Sequence, residues 1–103
     1  MRIDGTWRLE LDIPPGPREG TVRLTTVGRT LCGSWHEAGE SRLFDGGSVA
    51  ARAVAWAVDL PGSTGPVRMS FDAVIEGETM SGTVEVGEEA GLLRGQRVSP
   101  PAP

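Results

Sequence analysis

Six times along the chain a glycine, one intervening residue and an apolar or aromatic residue recur: Gly5-Thr6-Trp7, Gly20-Thr21-Val22, Gly33-Ser34-Trp35, Gly47-Ser48-Val49, Gly65-Pro66-Val67 and Gly82-Thr83-Val84. A beat of roughly 15 residues, with glycine as punctuation, predicts a meander of short antiparallel strands. It constrains the architecture more tightly than any motif here constrains a reaction. A chain of 103 residues has room for one core, so any binding site must be carved from that core or its rim.

The first segment is the clearest strand. Trp7, Leu9, Leu11 and Ile13 fall on one face and Arg8, Glu10 and Asp12 on the other, as in a half-buried strand. Pro14-Pro15-Gly16-Pro17 is expected to break it, because proline donates no ladder hydrogen bond. A second strand runs from Val22 to Val27, and Gly28-Arg29 turns into a third with Leu31, Gly33 and Trp35 inward. A fourth covers Ser41 to Phe44, after which Asp45-Gly46-Gly47 turns or bulges.

Residues 48–60 support two readings. Val54, Trp56, Val58 and Leu60 alternate like a strand, whereas Val49, Ala53, Trp56 and Leu60 have helical spacing behind a Ser48 cap; the glycine beat favours strand. Val67, Met69, Phe71, Ala73 and Ile75 then alternate, Gly77-Glu78 turns into Met80, Gly82, Val84 and Val86, and a last strand spans Leu92 to Val98. The expected fold is therefore all-β: a single small antiparallel up-and-down β-barrel of about eight strands over residues 1–98. Barrel closure removes exposed sheet edges, and a two-sheet sandwich is the alternative. Gly33 and Gly82 inside strands fit sharp coiling of a barrel wall or close approach of another backbone. Residues 99–103, Ser-Pro-Pro-Ala-Pro, are expected to be a disordered proline-rich tail.

Composition excludes several chemistries. The chain has no lysine and no tyrosine, hence no lysine Schiff base and no phenolic acid. A net charge of −4 with scattered arginines argues against a nucleic-acid partner, which selects for a basic stripe. No apolar run suggests a membrane span, and no leader precedes the first strand, so the expected location is cytoplasmic. Cys32 stands alone; no internal disulfide and no thiolate metal cluster can form, and its expected role is that of a small buried hydrophobe. Gly-x-Ser-x-Gly and phosphate-loop motifs are missing, and no cofactor or metal is expected.

Gly5-Thr6-Trp7 on the first strand, with Arg97 on the last, resembles the calycin arrangement of lipocalins and avidins, in which a basic residue packs over the first-strand tryptophan and plugs one end of the barrel. Leu31-Cys32-Gly33-Ser34-Trp35-His36-Glu37 is similar to the third avidin strand, Glu40-Ser41-Arg42-Leu43 to the fourth, and Ala53-Val54-Ala55-Trp56 to the fifth. That resemblance implies ligand contacts at Trp35, Glu37, Leu43 and Trp56. The asparagine, the tyrosine and the later tryptophans of the biotin site are not retained. The repeated strand pattern is also similar to small bacterial barrel modules appended to hydrolases.

Strands one, five, six and seven present almost purely apolar faces, so any polar or ionisable group in a site must come from the third, fourth or last strand: Ser34, His36, Glu37, Glu40, Arg42, Asp45, Arg94, Gln96 and Arg97. The densest chemistry is His36-Glu37-Ala38-Gly39-Glu40, with His36 as acid or base oriented by Glu37, Glu40 or Asp45. Parity instead turns His36 outward, because Trp35 takes the inward phase. Arg94 and Arg97 suit an anion clamp, although Arg97 also suits the plug over Trp7. Trp35, Leu43, Trp56, Met69, Phe71 and Arg94 are the expected ligand-binding set.

Three functions follow. The first is a barrel that binds a small hydrophobic metabolite in its interior. The second is a cofactor-free cyclase or isomerase of natural-product biosynthesis using His36, Glu37 or Glu40 in the same pocket. The third is a homo-oligomeric module, such as a homodimer, joined through an outward apolar stripe of Val27, Val74 and the Ala51–Ala57 series.

Overall fold

The computed structural model describes residues 3–14, 16–61 and 64–98, so the expected tail at 99–103 lies outside the described residues. Eight antiparallel strands follow in order: β1 (Gly5–Ile13), β2 (Gly16–Val27), β3 (Thr30–Glu37), β4 (Glu40–Ala50), β5 (Ala53–Leu60), β6 (Val67–Glu76), β7 (Thr79–Val86) and β8 (Glu89–Arg97). Each pairs with the next, and β8 returns to β1 from Trp7↔Arg97 to Asp12↔Leu92, closing the barrel. This seam decides against the sandwich.

Residues 48–60 are the end of β4, a turn at Ala51-Arg52 and the strand β5. Strand wins because Val54, Trp56 and Val58 are all buried in one core; helical spacing would send them to different sides. Three boundaries differ from the sequence expectation. β2 begins at Gly16 with Pro17 opposite Asp12, since proline is tolerated near a strand start beside a turn. β4 begins at Glu40 and continues to Ala50 because Asp45-Gly46 is a bulge: Leu31 faces Gly47 while Gly33 faces Phe44, leaving one extra residue in β4. β8 begins at Glu89, three residues before Leu92.

The core takes the expected alternate positions: Trp7, Leu9, Leu11 and Ile13 from β1, Met69, Phe71, Ala73 and Ile75 from β6, and Leu31 and Trp35 from β3. Among the described residues no polar or charged residue is fully buried. Cys32 is half-buried on the outer phase of β3 instead of lying in the core.

The glycine beat marks turns less than it marks close contacts. Gly20, Gly33, Gly47 and Gly82 lie inside strands. A Cβ at Gly33 would overlap the carbonyl of Arg23 on β2, and one at Gly82 the carbonyl of Asp72 on β6. Gly91, outside the beat, is pressed in the same way against Asp12. These are the places where the wall coils most tightly and only a missing side chain lets neighbouring backbones meet.

Candidate functional site

The two ends of the barrel differ. At one, Arg97 sits directly opposite Trp7 in the β1–β8 ladder and stacks its guanidinium 4.4 Å from the indole centroid, a cation–π contact. The Trp7 indole N–H donates to the Ile3 carbonyl at 3.0 Å, Arg97 Nη1 donates to the Asp4 carbonyl at 2.7 Å, and Arg97 Nε lies 3.1 Å from Glu78. This end is plugged, as the pairing of Trp7 with Arg97 led one to expect.

At the other end, inward positions of β2 and β3 carry Arg18, Trp35 and Glu37. Arg18 forks onto the Glu37 carboxylate, Nε to Oε2 at 2.7 Å and Nη2 to Oε1 at 2.5 Å, and the Trp35 indole N–H donates to Oε1 at 3.3 Å. Gly20 makes the arrangement possible, because a Cβ there would strike the Trp35 ring. Partial burial pushes the Glu37 carboxyl up, but the hydrogen bonds and charge of Arg18, helped by the Trp35 indole, outweigh it and hold the pKa below its ordinary value. Glu37 is thus an ionised, fully engaged carboxylate that organises the rim.

His36 lies on the outer surface of the same strand, as parity required. Its Nε2 is 2.8 Å from Ser34 Oγ and its Nδ1 2.8 Å from Ser41 Oγ. Glu40 is exposed and only 3.7 Å from Arg42. His36, Glu37 and Glu40 all line one open cleft of about 370 Å³ at this end, together with Glu19, Thr21 and Ser41, with His36 held by the two serines and Glu37 by Arg18.

The feature that the fold adds is a slot in the wall. β4 and β5 pair only at Ser48↔Ala55, Val49↔Val54 and Ala50↔Ala53. Before the bulge, β4 bends away from the second half of β5, and a cleft of about 570 Å³ opens between them. Inward-phase residues Arg42, Phe44 and Val58 line it together with outward-phase Leu43, Ala57 and Asp59. Lining from both phases of both strands marks a gap through the wall, as opposed to a dimple on it.

Behind the slot the interior is filled by an aromatic stack: Phe44 on Trp56 at 5.9 Å, Trp56 on Phe71 at 4.6 Å, and Phe71 tilted against Trp35 at 5.2 Å. Two donors at the slot strands have no hydrogen-bond partner although their atoms are buried, Arg42 Nε on β4 and Trp56 Nε1 on β5. Leaving a buried donor unsatisfied costs about 1–3 kcal/mol.

Of the residues expected to bind ligand, Leu43 lies at the slot, 87% exposed at its outer rim, and Trp56 stacks on Phe44, which lines it. Trp35 and Phe71 lie deeper in the stack, and Met69 is fully buried opposite Val58. Arg94 is across the barrel, on the outer face of β8 opposite Glu10. Three contributors were missed: Arg18, Phe44 and Val58. The alternation Arg18, Gly20, Val22, Leu24 signals Arg18, once the strand is allowed to begin before Val22. Among the described residues no group of three or more metal-ligating side chains is clustered, and no helix is long and apolar enough to cross a membrane. No protein-family model matches the chain, and no curated protein matches it.

Proposed function

We propose that this barrel binds a small molecule that carries both polar and apolar groups at its unplugged end, with the slot between β4 and β5 as the way in. The observation that carries the reading is the slot itself: about 570 Å³ is within the range of small-molecule sites, and Ser41, Arg42, Asp45, Asp59 and Arg68 surround a floor of Phe44 and Val58 that is nearly buried. Because the aromatic stack already fills the axis, the ligand occupies the slot and the rim and rests on Phe44, leaving the stack behind it in place. The Trp7–Arg97 plug and the strand order support the calycin likeness, in which one end is sealed and the other receives ligand. Binding is favoured over catalysis because His36 is held by two serines and Glu37 by Arg18.

Native mass spectrometry of freshly purified protein, followed by denaturing extraction, tests the reading. One retained small molecule per chain is expected. A uniformly ligand-free protein whose tryptophan fluorescence and melting temperature ignore a panel of apolar compounds would overturn it.

A further inference from the structure

We infer that the molecule the slot takes is a short extended peptide, bound through its backbone as an added strand between β4 and β5; this rests on the binding reading above. The two turns beside the slot set the direction of its backbone groups. Ala38 and Gly39 both have positive φ, 52° and 81°, as in a two-residue hairpin turn whose flanking residues, here Glu37 and Glu40, bond to each other. Antiparallel pairs alternate between bonded and non-bonded. Arg42 and Phe44 therefore bond to β3, while the backbone N–H and C=O of Ser41 and Leu43 point towards β5. The two-residue turn Ala51-Arg52 fixes β5 in the same way: Ala53 and Ala55 bond to β4, and Ala57 and Asp59 are next in that phase. The Ile75 N–H donates to the Arg52 carbonyl at 2.9 Å, so the alternate phase of β5, from Val54 to Val58, is the one that faces β6.

Among the described residues the β4–β5 ladder has no pair beyond Ser48↔Ala55. Ser41 and Leu43 on one lip, and Ala57 and Asp59 on the other, thus aim their N–H and C=O groups into the slot that all four line, with no strand to receive them. An unpaired strand edge is a template for another strand, and here two such edges face each other across one cleft of about 570 Å³. A ligand with one or two polar groups would satisfy only part of this row. An extended backbone presents a donor and an acceptor to each side, at the repeat of about 3.3 Å per residue that the lips themselves have. Because β4 and β5 are antiparallel, the added strand runs antiparallel to one lip and parallel to the other. Leu43, 87% exposed on the outer lip, gives its outward side chains an apolar neighbour. The rim carries charges of both signs, Arg42 and Arg68 with Asp45 and Asp59, which favours an uncharged peptide over a strongly acidic or basic one.

Isothermal titration with a capped, uncharged five-residue peptide of alternating valine and threonine tests the assignment, beside two analogues in which one or the other alternate set of amide nitrogens is methylated. The parent peptide is expected to bind, and each analogue to bind at least about tenfold more weakly, because each methyl group removes a donor aimed at one lip. Leu43→Pro removes one N–H aimed at the slot and none from the β3 ladder, a position where a strand tolerates proline; it is expected to weaken the parent peptide at least about fivefold. Amide exchange followed by nuclear magnetic resonance needs no variant: the Ser41, Leu43, Ala57 and Asp59 amides are expected to exchange fast in the free protein and to slow at least about tenfold with peptide bound. Circular dichroism shows whether Leu43→Pro is folded, and the methylated analogues and amide exchange decide the matter if it is not. Peptide binding that ignores methylation, or slot amides already protected in the free protein, overturns the added-strand assignment. Failure of the parent peptide to bind overturns it too. Native mass spectrometry then separates the two readings: a retained molecule that is not a peptide leaves the binding reading standing, and a ligand-free protein removes both.

Discussion

Phe71→Ala should be among the most destabilising single changes available to this protein. Phe71 is 1% exposed, sits opposite Trp56 on β5 and Val84 on β7, and has ring neighbours on two sides, Trp56 at 4.6 Å and Trp35 at 5.2 Å. Truncating a buried phenylalanine costs about 3–5 kcal/mol, less where the surroundings can collapse into the space. Here collapse is limited, because β6 is laddered to β5 on one side and β7 on the other along the stretch that carries Phe71. The two aromatic partners also lose contacts worth about 0.5–1.5 kcal/mol each beyond area alone, which places the expected loss near the top of that range, at about 4–5 kcal/mol. For a domain of this size that lowers the melting temperature by roughly 20 °C or more, and it moves the urea midpoint by about 2 M for a slope near 2 kcal/mol per M. Urea titration followed by circular dichroism measures it directly. A loss below about 2 kcal/mol would mean that the space around Phe71 is already loose, and the filled interior that confines a ligand to the slot would be wrong.

Gly33→Ala and Gly82→Ala should each cost about 1–3 kcal/mol or more, because the new Cβ would displace a neighbouring strand's carbonyl, whereas Gly16→Ala, with open space around it, should stay within about 0.5 kcal/mol; parallel urea melts that fail to separate the two classes would refute the tight-coiling account. Glu37→Gln removes a carboxylate whose pKa is lowered in the folded state. The stability this carboxylate adds is therefore fully present above its unfolded-state pKa and is lost as pH falls through the lower folded value. The variant should be about 1–3 kcal/mol less stable at neutral pH, with the gap closing on acidification below the ordinary carboxylate range. A deficit that does not change with pH would show that the Arg18 pair is not its source.

The parts legible in the sequence were those governed by alternation. Trp7 through Ile13 and Val67 through Ile75 each state a buried face outright, and closure followed from having too many short strands to leave open edges. The Trp7–Arg97 stack was legible because the two residues occupy the first and last strands of a ring. What escaped depended on long-range geometry. Pro17 concealed the early start of β2 and with it Arg18, because a proline's effect depends on whether its nitrogen faces a ladder position. The glycines read as punctuation proved to be contact points, which only the neighbouring strand reveals. The splay of β4 from β5 had no local signature except Asp45-Gly46-Gly47, which fitted a turn and a bulge equally well.

That bulge links the closed fold to the open slot. Were the same residues in regular alternation with no bulge, the inward phase that carries Arg42 and Phe44 would continue to Gly46 and Ser48, and Val49 would face solvent. With it, the phase resets to Gly47 and Val49, so the last three residues of β4 pair with β5 beside the plugged end. A bulge also bends its strand and increases the local twist, which carries Glu40 to Phe44 off the edge of β5. One added residue, with Gly46 at a φ of 73°, thus keeps the barrel closed at one end and parts its wall at the other. Deleting Gly46 would leave Gly47 and Val49 inward by plain alternation while removing the bend, so β4 is expected to pair with β5 through Phe44 and the slot to disappear; a variant that keeps the slot would refute the bulge as its cause.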